Sequence, residues 1–298
     1  METFKLQLLT LLFFSLFFSA RVSAAVLFVV PEYSSNSLTL ANKTNRLLDD
    51  EIDIKTIADL SSVALERYKA VVLVGSTVLD QWPGSKLPTL AVLVSSQQVQ
   101  KHQETLTTSI YADPPLERQV LLAIELLGTR SPIGILFNNR QQLDTYNIED
   151  VSSETWHQVK ISFYFADESA SIAHALAPLL RENKALVGIY DNDLYSPENI
   201  KTILISAYRQ NLPLIGPSAA YLKAGALAST YSNIDDIALR LSEVLQQGLT
   251  TKIWPAPNYN PYFHVGINEQ VGRSLNIVLP NTETLAKKIR EIEAADNE

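Results

Sequence analysis

The sequence predicts an α/β protein of two Rossmann-like lobes, each built on a parallel sheet and joined by several crossings. Three observations predict this. Short apolar runs without polar alternation recur along the chain, as in strands covered on both faces. Helical or irregular segments separate them, in the order that builds parallel sheets. Two such series follow one another, and later segments are left over to complete both. The 298-residue length allows two lobes, and 46% hydrophobic with 19% charged residues is the balance of a folded core.

The chain opens on an export signal. Lys5 precedes Leu6 to Ser19 (LQLLTLLFFSLFFS), which carries no charge. Arg21 follows, and Val22-Ser23-Ala24 puts small residues where a signal peptidase reads. A bilayer span needs roughly 20 apolar residues, so the run is short for an anchor. Residues 1–24 are therefore expected to be a cleaved signal peptide. The chain has no Cys, which leaves no site for a lipid anchor, a disulfide or a thiolate-bound metal. The expected product is an untethered protein of the periplasm, not a lipoprotein.

Strands are expected at Ala25 to Val30, more weakly at Asp53 to Ile57, and at Ala70 to Val74 and Leu90 to Val94. Asp113-Pro114-Pro115 opens a helix with Asp113 as its cap. Leu116, Val120, Ile124 and Leu127 form its inner face, and Gly128 stops it. The second series runs through strands at Ile133 to Phe137, Val159 to Phe165, Ala185 to Tyr190, Leu212 to Ile215 and Leu227 to Tyr231. Its helices fall at Ser169 to Arg181, near Pro197 to Arg209 and at Ser218 to Lys223. A helix at Asn233 to Gln247 is expected to stop at Gly248, and Trp254 to Pro261 reads as an irregular crossing. A strand near Tyr262 to Ile267 and a charged helix at Thr282 to Ala294 close the chain. The first lobe is expected over 25–111, completed by about 232–260, and the second over 112–231, completed by about 261–298.

The motifs of catalysis are missing. His102, His157, His174 and His264 are not spaced as metal ligands, and neither Gly75-Ser76-Thr77 nor Gly216-Pro217-Ser218 is a nucleophile elbow. There is no phosphate-binding glycine loop, and Asp191-Asn192-Asp193 does not continue as a calcium loop. A formal charge of −8 without a basic cluster argues against nucleic acid. No enzyme activity, metal or cofactor is expected. Ligands of open α/β sheets bind beyond the carboxyl ends of strands. The candidate ligand-binding residues are accordingly Tyr33, Ser34, Ser35, Gly75, Ser76, Thr77, Asp191, Asn192, Tyr195 and Tyr231. The 12 tyrosines offer flat faces and hydroxyls suited to a closing cleft.

Several segments resemble one family. Tyr111 to Gln119 with Ile133 to Phe137, Ala185 to Asn199, Ile203 to Gln210, Leu212 to Ser218, Lys223 to Leu227, and Asn268 through Leu279-Pro280 carry the resemblance. They are similar to the substrate-binding proteins of ABC transporters, in the group related to tryptophan and tyrosine uptake. The resemblance implies a type I periplasmic binding fold that delivers a small, amino-acid-like solute to a permease driven by an ATPase. The alternative is a sensor that presents its closed form to a membrane receptor such as a histidine kinase. The chain is expected to act as a monomer. The first half departs from the family pattern. Pro31 to Leu48 is short and polar where a long helix is usual, the Gly-Thr-rich loop is reduced to Gly75-Ser76-Thr77, and Ser95-Ser96-Gln97 replaces an Asp-Pro element.

Overall fold

The computed structural model describes residues 26–146 and 154–296. The signal peptide expected over 1–24 lies outside them. Among the described residues, no helix is long and apolar enough to cross a membrane.

The first series runs β1 (Val26–Val30), α1 (Ser35–Asn45), β2 (Ile52–Thr56), β3 (Ala70–Val74), α2 (Ser76–Gln81), β4 (Thr89–Val94), α3 (Ser96–Lys101) and β5 (Thr108–Tyr111). The second runs α4 (Leu116–Leu127), β6 (Ile133–Phe137), α5 (Gln142–Thr145), β7 (Glu154–Trp156), β8 (Val159–Phe165), α6 (Ile172–Glu182), β9 (Ala185–Val187), α7 (Pro197–Arg209), β10 (Leu214–Ile215), α8 (Ala219–Ala224) and β11 (Ala228–Tyr231). After these come α9 (Ile234–Thr251), β12 (Asn258–Tyr259), β13 (His264–Ile267), α10 (Glu269–Ser274) and α11 (Thr282–Asp296).

Two sheets result. The first is six-stranded, in the order β12-β5-β4-β3-β1-β2, and every pairing in it is parallel. The second is seven-stranded, in the order β13-β11-β10-β9-β6-β8-β7, with only the edge strands β7 and β13 antiparallel. The five parallel strands that open each series follow one rule. The first strand of the series lies between the second and third, and the fourth and fifth continue outward. Each sheet therefore has a point, between β1 and β3 or between β6 and β9, where successive connections leave in opposite directions. Crevices open there beyond the strand ends.

Alternate residues divide the first core. Val26, Phe28, Val30, Val72 and Val92 pack under α1 and α9, whereas Leu27, Val29, Val71 and Leu73 pack against α2 with Val78, Leu79 and Trp82. Because both faces are covered, β1 and β3 read as unbroken apolar runs. The second sheet shares one core with α4, α6, α7 and α11.

Four expectations are corrected. The polar stretch after β1 does form a helix: Ser34 Oγ accepts from Ser37 N at 3.2 Å, and Leu40, Ala41 and Thr44 turn inward. Asp113 does not cap α4, because Pro115 takes the N-cap position. Gly248 does not end its helix, which runs to Thr251 and stops where Lys252 turns left-handed at φ 62°. A Cβ on Gly248 would stand 2.2 Å from the Trp254 ring, so the glycine is there to let that ring close in. Finally, the crossing is not wholly irregular, since β12 pairs with β5 through Asn258 and Tyr259.

Candidate functional site

The carboxyl ends of the two sheets meet. Thr145 Oγ1, at the end of α5 beside the second sheet, donates to Gln100 Oε1 on α3 of the first at 3.1 Å. At the base of this junction, segments of all three crossings line a shallow depression. Tyr111 to Pro114 comes from the first crossing, Tyr231 and Ser232 from the second, and Asn260 and Phe263 from the third, with Arg118 of α4 beside them.

Asp113 is the buried carboxyl here, 3% exposed. Its Oδ1 accepts from Ser96 N at 2.7 Å and its Oδ2 from Ser96 Oγ at 2.6 Å. Burial pushes its carboxyl above the usual range, against the two Ser96 hydrogen bonds. Four phenols stand close enough to feel its charge. Tyr111 and Tyr259 come from the ends of β5 and β12, with their rings edge-on at 4.9 Å. Tyr146 follows α5, and Tyr190 lies beyond β9. Burial raises all four hydroxyls, and the Asp113 carboxylate adds to each. These aromatic groups were not among the residues picked out by sequence. For Tyr111, Tyr190 and Tyr259 the visible signal was a tyrosine at or just past a strand end, whereas Tyr146 follows a short helix.

Arg118 is buried and already engaged. Its Nε donates to Glu293 Oε1 at 2.6 Å, its NH1 to the Asn260 carbonyl at 3.1 Å, and its guanidinium lies 4.0 Å from the Phe263 ring centre. Asn260 is 3% exposed. Its Oδ1 accepts from Tyr262 N, and its Nδ2 has no partner among the described residues. Asn139 Oδ1, beyond the end of β6, is likewise buried without a donor.

The sequence candidates divide into three groups. Tyr33, Ser34 and Ser35 follow β1, and Gly75, Ser76 and Thr77 follow β3, so both loops flank the point where the first sheet's connections diverge. Tyr33 is 55% exposed, Ser35 and Thr77 are exposed, and Ser34 is occupied as the α1 cap. Gly75 holds φ 88°, a conformation that disfavours a side chain, as it turns from β3 into α2. Asp191 and Asn192 occupy the matching place after β9, with Asn192 exposed. Asp191 is buried and closes its own turn, accepting from Asp193 N at 2.9 Å and Leu194 N at 2.7 Å, and it takes a third bond from Gln142 Nε2. Tyr231 lines the depression, its ring 5.9 Å from that of His264.

Tyr195 lies elsewhere. It is 2% exposed, its hydroxyl donates to the Leu136 carbonyl at 3.2 Å, and its own carbonyl accepts from Tyr221 OH at 2.9 Å. The turn that Asp191 closes carries this ring into the core and away from the cleft. Among the described residues, no group of three or more His, Asp or Glu side chains is placed to hold a metal.

No protein family model matches the chain, and no curated protein sequence does. Solved structures do match. The ligand-free, open form of a substrate-binding protein with adhesive properties from Clostridium difficile superposes with a TM-score of 0.65 at 12% identity, over 86% of this chain and 96% of that one. An ABC domain in complex with L-Trp from Streptococcus pneumoniae gives 0.53 at 16% identity, over 89% and 98%. A conserved domain protein from Vibrio cholerae gives 0.52 at 16%, over 87% and 96%. The chain has the type I periplasmic binding fold, two α/β lobes hinged around a cleft. This is the fold of the solute-binding proteins that its sequence resembles.

Proposed function

We propose that the protein is an exported solute-binding protein that closes its two lobes on a small molecule and passes it to a membrane permease driven by an ATPase. The carrying observation is that the carboxyl ends of both parallel sheets converge on one buried cluster, Asp113 with tyrosines contributed from either side. A site shared between lobes ties occupancy to hinge angle, because ligand favours the conformation that contacts it from both sides.

The first lobe is proposed as 25–111 with 232–260, and the second as 112–231 with 261–298. Pairing of β12 with β5, and of β13 with β11, supports that division. The loops at Tyr33 to Ser35, Gly75 to Thr77 and Asp191 to Asn192 form the rim of the site in this reading. The uncharged Leu6 to Ser19 run supports export to the periplasm.

The test is a thermal-shift screen of residues 25–298 against amino acids, sugars, polyols and small organic cations. A true ligand at 100 times its Kd stabilises the fold by about 2.7 kcal/mol, and scattering should show a smaller radius of gyration when it is present. A screen in which nothing shifts the melting point would overturn the reading.

A further inference from the structure

We propose that the ligand held in this cleft is a small organic cation without a free carboxylate or phosphate, its positive group seated at Asp113 between the tyrosine rings. The proposal rests on the binding reading above and deepens it to a ligand class.

Charge placement is the first ground. In the six residues that follow each parallel strand, Arg140 is the single Lys or Arg, whereas Glu32, Asp59, Asp80, Asp113, Glu117, Asp167, Glu168, Asp191, Asp193, Asp235 and Asp236 all fall there. Acids are expected at such places on general grounds, since helices begin beyond strand ends and their dipoles favour negative charge. Arg140 is itself exposed, donates to Glu168 Oε1 at 2.5 Å and lies over the Phe165 ring at 4.4 Å. Arg118, a guanidinium that lines the depression, is held by Glu293, Asn260 and Phe263, and Arg290 behind it donates to the Phe263 carbonyl at 3.1 Å. An anionic group entering the depression therefore meets Asp113, and the guanidinium that lines it, Arg118, is already bonded to Glu293 and Asn260.

Asp113 is the second ground. It is buried at the junction of the lobes, and among the described residues no cation pairs with it. Two hydrogen bonds from Ser96 satisfy part of its acceptor capacity and leave its charge uncompensated. A buried, unpaired carboxylate is costly, and an incoming cation removes that cost while gaining attraction in a poorly screened site. Tyr111 lines the depression with it, and Tyr146, Tyr190 and Tyr259 stand close enough to feel its charge; phenol faces attract cations through their quadrupoles. The acceptor-free Asn260 Nδ2, in a residue 3% exposed on the depression's wall, calls for a neutral acceptor such as a hydroxyl.

The test uses matched probes on the wild-type mature chain. Tryptamine and L-tryptophan share a ring and an ammonium and differ by the carboxylate, while choline and putrescine carry positive charge without a ring. Calorimetric titration should show at least one of the three cations binding, and tryptamine binding about tenfold or more tightly than L-tryptophan if the indole is accepted. Asp113→Asn, with its fold checked by circular dichroism, should weaken the bound cation by about tenfold or more. Preferential binding of L-tryptophan, another amino acid or a sugar would leave the binding function standing and overturn the cation assignment. Absence of binding by tryptamine, choline and putrescine would overturn it as well, and silence across every solute class would remove the binding function with it.

Discussion

Asp113 shows how one residue can be read correctly as polar and wrongly as to purpose. Followed by two prolines, it has the sequence signature of a helix cap, yet α4 starts later and the carboxylate turns back to Ser96. Its burial has a consequence for pH. The unfolded carboxyl releases its proton near pH 4, whereas the folded one keeps it to higher pH. Between those two values the folded state binds more protons, so the Asp113 contribution to stability falls as pH rises and levels off above the raised value. Chemical denaturation of the wild type and of Asp113→Asn across that range should show the wild type losing ground to the variant with rising pH. A constant difference from about pH 4 to pH 7 would mean that Asp113 titrates as an ordinary carboxylate. Tyr195 teaches the complementary lesson. Its position past a strand end was legible, but its direction depended on the turn closed by Asp191, which sequence spacing does not reveal.

At the level of elements, legibility followed burial. β1, β3, β4 and β6 have covered faces and announce themselves as apolar runs. β5 is Thr108-Ser109-Ile110-Tyr111 and β12 only Asn258-Tyr259, so their pairing is made by tertiary contact rather than local pattern. The same holds for α9, whose glycine looks like a terminator and is in fact a seat for Trp254. In a helix interior alanine is worth about 1 kcal/mol more than glycine. Here the added methyl would overlap an aromatic ring, which typically costs about 1–3 kcal/mol. Gly248→Ala should therefore lower the urea midpoint. A raised midpoint would show that the ring moves aside freely and that propensity decides the outcome.

For the whole molecule, the two-lobed plan was readable because segments remained over after each strand–helix series. The shared strand order of the sheets was not, since it depends on which strands pair. The third crossing is fixed to the second sheet by Arg118, which joins α4, α11 and the Asn260 carbonyl through one guanidinium. Arg118→Met should cost about 3 kcal/mol, because it removes a buried cation from groups arranged around it. Thermal melting should show a correspondingly large drop, and a variant as stable as the wild type would mean that the Phe263 packing alone secures the crossing.

The three crossings also govern the order in which the molecule can be made. The first sheet begins at Val26, but its last strand, Asn258–Tyr259, and the helix that seals one of its faces, Ile234–Thr251, lie more than 200 residues later. During synthesis the early strands must wait, one face covered only in part by α1, while nearly the whole second sheet emerges. Neither half can then be finished by its own stretch of chain, so productive folding begins in earnest only when the polypeptide is almost complete.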